Sequence, residues 1–402
     1  MKRNRLVLFC SEFPSEKGET FLHNEMHYLS EKFDKISVIT ESVEISSKFE
    51  NVQIFNLKRT KHLKLKNLFS GLLWKEILRN GILNFSKNKI ALGYYLLACN
   101  VRNFTVEKFK SGEIKENDIF YTYWMNESAL AMSMIKKSVS GIKFYSRVHG
   151  WDLYQERHPF HYLPFRHTIL KTVNKVLSIS NNGVEYLGAK YPEFKEKLTV
   201  SRLGVETLNT ESTVKTRDDK VFRVVSCSSI IPLKRVDMIA NVIMKIDRLN
   251  LEWIHFGDGP CRTEVENIIS EYAINGGKAK LLLKGIKSND EIHEFYMKNS
   301  IDLFMNLSQT EGIPVSIMEA MSYGIPVLAT DVGGTSEIVI KDYNGILIDE
   351  NSSLEAISEE IVKLMEKREK INSFSQNAIE LYNLKYNAKN NYSSLCKQLL
   401  NG

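Results

Sequence analysis

Apolar residues along this chain gather into short runs of about four to six, separated by longer stretches of helical periodicity. In the first half the runs are LVLFC (6–10), KISVIT (35–40), VQIF (52–55), IFYTY (119–123), IKFYS (142–146), KVLSIS (175–180) and LTVS (198–201). In the second half they are FRVVS (222–226), EWIHF (252–256), KLLLK (280–284), DLFMNL (302–307), PVLAT (326–330) and GILI (345–348). Runs without strict alternation suit strands buried on both faces, and their alternation with helices predicts parallel sheets covered on both sides. The two series are parted by ETLNTESTVKTRDDK (206–220), which is polar and has no apolar period. The expected fold class is therefore α/β, with two doubly wound Rossmann-like domains. They are residues 1–205 and 221–402, joined by a linker at 206–220, and the stretch 377–400 is read as a terminal helix of the second domain. Such sheets bind ligands at the carboxyl ends of their strands.

One stretch carries more than fold information. DLFMNLSQTEGIPVSIMEAMSYGIPVLATDVGG (302–334) reads as strand, loop, helix, stop and strand. Pro314 suits a first helical turn, Gly324 a left-handed stop, and Pro326 bars continuation. Glu311 falls in the loop and Glu319 in the helix. Between them the N–H groups of Gly312, Ile313, Val315 and Ser316, with Pro314 setting the first turn, begin a helix whose dipole favours an anion such as a diphosphate. Carboxylates on either side suit hydrogen bonds from sugar or ribose hydroxyls. The alternative is a capping acid plus a surface glutamate.

Charge adds a second theme. The net charge is +6, yet residues 51–110 hold twelve Lys and Arg against two acids, so the rest of the chain is slightly acidic. These cations are mixed with Leu, Phe and Trp, as in LKRTKHLKLKNLFSGLLWKEIL. A solvated helix face and an anionic membrane surface are both open readings, and nucleic acid is disfavoured because no RNA-binding motif accompanies the cations. Five scattered cysteines (Cys10, Cys99, Cys227, Cys261, Cys396) form no metal or redox motif. The basic start MKRNR is followed by an apolar run too short for a secretion signal, and no run approaches the roughly 20 apolar residues of a membrane span. A cytoplasmic protein, peripheral on the inner face of the membrane, is expected.

The 302–334 segment resembles the donor site of the retaining glycosyltransferases of family four, which have the GT-B fold. It shows their Glu-x7-Glu pair in the setting Glu-Gly-apolar-Pro, followed by EAMSYGIPV. The resemblance extends over nearly the whole chain, and it implies the following roles. Glu311 would hold the donor sugar and Glu319 the ribose. SCSSIIPLKRVDMI (226–239) is similar to the family's phosphate-binding turn, with Lys234 on the diphosphate. The family's usual Gly-Arg is replaced by Ser228-Ser229, so Ser229 stands at a donor-binding position without its cation, and Arg235 would compensate. Gly285 and Ile286 would meet the base. HFGDGP (255–260) and DVGGTSEIV (331–339) match in order, with Thr335 as a helix cap. In YSRVHGWDLY (145–154), His149 would contact the donor sugar and Asp152 the acceptor. FPSEKGETFLHNEM (13–26) is similar to the acceptor loop of polysaccharide-assembling members, through Gly18, Glu19 and Thr20.

By this resemblance the chain is expected to move a hexose from a UDP- or GDP-sugar, with retention, to a glycan or lipid-linked saccharide of a bacterial surface polysaccharide. No metal or other cofactor is expected. A nicotinamide oxidoreductase is disfavoured, because neither FCSEFPSEKG nor SCSSIIPLKR has the Gly-x-Gly-x-x-Gly turn. A nucleotide-sugar epimerase of the same fold and a non-catalytic nucleotide-sugar-binding scaffold are the alternatives.

Overall fold

Every apolar run named above forms a strand in the computed structural model, which describes residues 4–15, 19–44, 46–58, 60, 69–207 and 220–401. The chain divides into two units, 1–203 with 389–402 and 204–388.

The N-terminal unit holds β1 (Arg5–Phe9), β2 (Lys35–Thr40), β3 (Val52–Asn56), β4 (Ile119–Thr122), β5 (Lys143–Val148), β6 (Lys175–Ser178) and β7 (Leu198–Val200). They make one sheet in the order β3-β2-β1-β4-β5-β6-β7, and every neighbouring pair is parallel. Around it lie α1 (Thr20–Lys32), α2 (Gly71–Asn80), α3 (Phe85–Lys110), α4 (Glu127–Ser138), α5 (Arg166–Thr172) and α6 (Asn181–Lys190). The direction of strand addition reverses between β1 and β4, which opens a crevice at their carboxyl ends.

The C-terminal unit repeats the plan with β8 (Phe222–Cys227), β9 (Leu251–Phe256), β10 (Lys280–Leu283), β11 (Leu303–Asn306), β12 (Val327–Thr330) and β13 (Gly345–Ile348). The order is β10-β9-β8-β11-β12-β13, again all parallel, with the reversal between β8 and β11. Its helices are α7 (Val236–Ile246), α8 (Arg262–Ile274), α9 (Asn289–Lys298), α10 (Val315–Ser322), α11 (Thr335–Ile338), α12 (Leu354–Glu366) and α13 (Arg368–Lys385). Strands such as β9 and β12 are buried at every position, as a sheet covered on both faces requires.

The terminal helix departs from the sequence reading. The stretch 377–400 is broken, and α14 (Ala388–Asn401) joins the N-terminal unit rather than the C-terminal domain. The cause is apolar burial that local sequence does not reveal. Tyr392, Leu395, Cys396 and Leu399 are buried. The Tyr392 ring lies 5.6 Å from that of Tyr28 on α1, and Asn391 donates to the Leu203 carbonyl at 2.7 Å. Residues 208–219, most of the expected linker, lie outside the described residues. The chain already belongs to the C-terminal unit at Val205, which bridges Asn387.

The N-terminal core also encloses an ion pair. Arg147 on β5 and Glu25 on α1 meet at 3.2 Å, and neither side chain has measurable exposure. Arg147 also donates to the Tyr121 hydroxyl at 2.6 Å. Burial pushes the Glu25 carboxyl up, and the guanidinium pulls it back towards the ionised form. Arg147→Met would leave Glu25 among tyrosines without its cation, at an expected cost of about 3–5 kcal/mol. Glu25→Gln added to Arg147→Met should recover much of that loss. Urea unfolding followed by tryptophan fluorescence measures both.

Candidate functional site

In the C-terminal unit, β8 and β11 are adjacent and parallel, so the turns after them emerge side by side at the switch point. The first turn is a short 3-10 segment, Pro232–Lys234, ending in Arg235 with φ 48°. The second is the loop 307–314 before α10. Gln309 N–H donates to the Leu233 carbonyl at 2.9 Å and fastens one to the other. Lys234 Nζ therefore reaches Glu311 Oε1 at 2.5 Å, with Glu311 mostly buried. Asn306, the last residue of β11, donates to the same Glu311 oxygen at 3.3 Å and accepts from Ser308 N–H at 3.0 Å.

Glycines make this closeness possible. A β-carbon on Gly333 would fall 1.9 Å from the Glu311 carbonyl oxygen, and one on Gly334 would fall 2.3 Å from that of Gly312. Gly334 N–H donates to the Gly312 carbonyl at 2.9 Å. The glycine pair after β12 thus presses on the backbone that carries Glu311. Gly334 also takes the cap position of α11, so Thr335 is not the cap and its hydroxyl is buried without a partner. Likewise, a β-carbon on Gly257 would meet the Ser228 carbonyl oxygen at 1.8 Å. The Gly-Asp-Gly-Pro turn is a buttress for the turn after β8.

Beneath that turn lies a polar chain that the sequence did not flag. Trp253 Nε1 donates to Ser226 Oγ at 2.9 Å, Ser226 Oγ meets His255 Nδ1 at 2.8 Å, and His255 Nε2 meets the Ser228 carbonyl at 3.1 Å. With indole as donor at one end and a carbonyl as acceptor at the other, only the neutral Nε2–H tautomer satisfies every member. Burial keeps His255 in that form, with its pKa lowered to about 4.

Pro314 stands just before α10 and its carbonyl accepts from Ile317 and Met318. The N–H groups of Val315 and Ser316 open the helix and have no acceptor within it. Gly324 is left-handed at φ 68°, ending the helix where expected. Glu319 projects from α10 into an enclosed setting, 9% exposed, and burial alone raises its carboxyl to about 7. Cys227 and Tyr296 both feel its charge. Ser229 is exposed on the turn after β8, and Gly285 (φ 70°) accepts from Gly257 N–H at 2.9 Å with Ile286 exposed beside it. Arg235 differs from its expected role as a second diphosphate cation. Its Nε donates to the Leu307 carbonyl at 2.6 Å and its Nη1 to the Glu350 carbonyl at 3.0 Å, so it ties loops together.

In the N-terminal unit, His149 follows β5. Its ring is buried against Trp124 (4.3 Å between centroids) and Tyr123 (4.9 Å), and both ring nitrogens lack a hydrogen-bond partner. Burial, then the Arg147 charge, holds it neutral. Two expected acceptor carboxylates are otherwise engaged. Asp152 accepts from His149 N–H and Met125 N–H, each at 2.7 Å. Glu19 accepts from the N–H groups of Ser11, Glu12 and Phe13 and from Trp124 Nε1. Both carboxylates hold loops, because turns beyond parallel strands present N–H groups that need acceptors. Gly18 and the Thr20 side chain lie outside the described residues. Beside Trp124 opens a cavity of about 530 Å³ walled by Tyr94, Trp124, Trp151 and Tyr162, with Asn126 and Arg166 among its polar groups. Among the described residues, no cluster of three or more His, Cys, Asp or Glu could hold a metal ion.

Residues 209–381 match the model of the family described as glycosyl transferases group 1. The C-terminal unit belongs to that family. An uncharacterized glycosyltransferase of Methanocaldococcus jannaschii is 33% identical over 152 residues, 38% of this chain and 40% of that protein. The putative colanic acid biosynthesis glycosyltransferase WcaL of Escherichia coli K12 is 24% identical over 247 residues, 59% of each chain. The chain thus spans about two fifths to three fifths of the length of these relatives. In fold, both units resemble Anabaena HepE, solved with UDP, at TM-score 0.68 and 15% identity over 99% of this chain and 100% of that one. The two doubly wound domains have the GT-B fold.

The raised Glu319 carboxyl makes a prediction independent of any ligand. Its pKa is higher folded than unfolded, so the penalty is absent below about pH 4.5, grows as pH rises, and is complete above about pH 7. Glu319→Gln should therefore leave stability near pH 4 little changed and raise it at pH 8, by about 3 kcal/mol at most. Urea titrations at the two pH values measure the difference.

Proposed function

We propose that the chain is a retaining hexosyltransferase that uses a nucleoside-diphosphate sugar, UDP- or GDP-linked, to extend a bacterial surface polysaccharide. The observation that carries the reading is the Lys234–Glu311 contact at the start of α10, with the unpartnered, buried Glu319 one helical segment away. A cation and helix N–H groups suit a diphosphate, and two carboxylates suit hydroxyls on either side of it. The family match of residues 209–381 and the likeness to the putative colanic acid biosynthesis glycosyltransferase WcaL favour a glycan product.

In this reading, donor binding parts Lys234 from Glu311. Lys234 and the α10 N–H groups take the diphosphate, Glu311 turns to the sugar hydroxyls, and Glu319 accepts from the ribose. Gly285 and Ile286 border the base, and Ser229 lies beside the phosphates. As the anomeric C–O bond to the diphosphate breaks, charge grows on the leaving oxygen where those donors already point. The acceptor hydroxyl attacks from the same face and passes its proton to the leaving phosphate. No metal ion takes part. The neutral imidazole of His149, with both nitrogens unused, is assigned to the donor sugar. The aromatic cavity beside Trp124 is assigned to the acceptor, since flat rings suit the apolar faces of sugars.

Two measurements test this. First, ribose hydroxyls donate far more strongly to the ionised form of Glu319 than to the protonated one. Affinity for a nucleotide sugar, whose diphosphate diester does not titrate near neutrality, should rise roughly tenfold from pH 6 to pH 8. Glu319→Gln should flatten that rise, whereas a wild-type affinity independent of pH removes Glu319 from the ribose. Second, Lys234→Ala should lower turnover by roughly 100- to 1000-fold, as for loss of a donor to developing charge. Proton NMR of the product should show the donor's anomeric configuration retained. An inverted product, or release of a free sugar isomer without acceptor, would overturn the assignment; the latter outcome would favour an epimerase.

A further inference from the structure

One corner of the N-terminal unit carries chemistry that glycosyl transfer does not use. Six apolar side chains stand in solvent within seventeen positions. Phe69, Leu83 and Phe85 are 80%, 83% and 77% exposed, and Trp74, Leu78 and Ile82 are about half exposed or more. Trp74 and Leu78 lie one turn apart on α2, and Lys75 and Arg79 form the adjoining exposed stripe. Between Phe69 and Lys89 the sole acid is Glu76. It is buried, accepting from Phe165 N–H at 2.8 Å and the Tyr162 hydroxyl at 2.9 Å.

Behind α2 opens a cavity of about 550 Å³ that draws lysines from four elements. Lys75 comes from α2, Lys136 and Lys137 from the end of α4, Lys171 from the end of α5, and Lys197 from just before β7. Among the described residues none of the five pairs with a carboxylate. Lys136 donates to Asn174 Oδ1 at 2.6 Å, and Lys197 donates to the Leu170 and Lys171 carbonyls. Glu193 faces His167 at 3.4 Å, and Glu196 lies near Lys197. Lys137 is depressed first by burial, then by the charges of Lys75 and Lys171. Four of these five lysines lie outside the basic stretch 51–110. Of the lysines and arginines within that stretch, Arg59, Lys61, Lys64 and Lys66 fall outside the described residues.

We propose that this corner docks on an anionic phospholipid leaflet, with the lysine cavity taking headgroup phosphates while Trp74, Leu78, Leu83 and Phe85 enter the headgroup–acyl boundary. The side-by-side arrangement is the argument. A lysine cluster with no carboxylate paired to it among the described residues calls for an anion, and apolar side chains on α2 and just after it call for a surface that is anionic outside and apolar beneath. A soluble phosphate would satisfy only the first. The surface stands apart from the residues assigned to transfer, so docking needs neither donor nor acceptor.

Flotation of the full chain with lipid vesicles tests the proposal. Vesicles of phosphatidylcholine and phosphatidylglycerol in equal parts should carry the protein up at low salt, and phosphatidylcholine alone should not. Lys75→Gln, Lys137→Gln and Lys171→Gln together should lower partitioning by about a hundredfold, at about fivefold for each lysine. Trp74→Ser with Leu83→Ser should weaken binding by a factor that added salt does not change. Unaltered far-ultraviolet circular dichroism and urea-unfolding midpoints in both variants show that they fold. The proposal fails if anionic vesicles do not bind at low salt, or if the lysine variant binds as the wild type does. It also fails if inorganic phosphate, matched to the lipid phosphate, displaces the vesicles. A solution dimer dissolved by the Trp74→Ser, Leu83→Ser change would assign the ridge to a second copy instead.

Discussion

The candidate site of the C-terminal unit depends on backbone meeting backbone. Because β8 and β11 are parallel neighbours, their following turns arrive together, and Lys234 meets Glu311 without either side chain being strained into place. What keeps the turns there is the absence of β-carbons. Gly333 and Gly334 allow one loop to lie on the Glu311–Gly312 backbone, and Gly257 allows another to lie on Ser228. The buried Trp253–Ser226–His255 chain then fixes the Ser228 carbonyl from below. Charged groups are thus placed by loops that have little freedom of their own.

Polar groups in the two units divide into satisfied and unsatisfied ones, and the division separates scaffold from chemistry. Glu19, Asp152, Glu76 and Arg235 are filled by backbone partners and hold loops in position. His149 is buried with neither ring nitrogen hydrogen-bonded, and burial raises the Glu319 carboxyl, so each carries a cost that a ligand could relieve. Burial alone could not have sorted these residues, since all but Arg235 are largely buried. The distinguishing quantity is whether the lone pairs and N–H groups are already in use.

Much of the fold was legible in the sequence because parallel strands covered on both faces leave continuous apolar runs, and all thirteen runs named from the sequence became strands. The 302–334 segment was legible because its loop, helix and stop are local events, and Gly324 ends α10 as read. Other features were hidden because they depend on distant partners. α14 packs beside Tyr28, more than three hundred residues away in the chain. Glu19 and Asp152 look like free acids in a string of letters, and only the fold shows which N–H groups claim them. The aromatic cavity takes Tyr94 from α3 and Trp151 from the loop after β5, and no spacing in the sequence unites them.

The Lys234–Glu311 contact has a consequence for selectivity among the many phosphates of a cell. Each of these two charges neutralises the other at 2.5 Å. Inorganic phosphate that drew Lys234 away would take from the mostly buried Glu311 the cation beside it, which the protein interior penalises. A ligand bearing both an anion and neighbouring hydroxyls satisfies the two partners at once. Under the proposed function the closed pair would act as a lock with two pins, lifted together by a phosphorylated sugar and not by abundant competitors that match one pin alone.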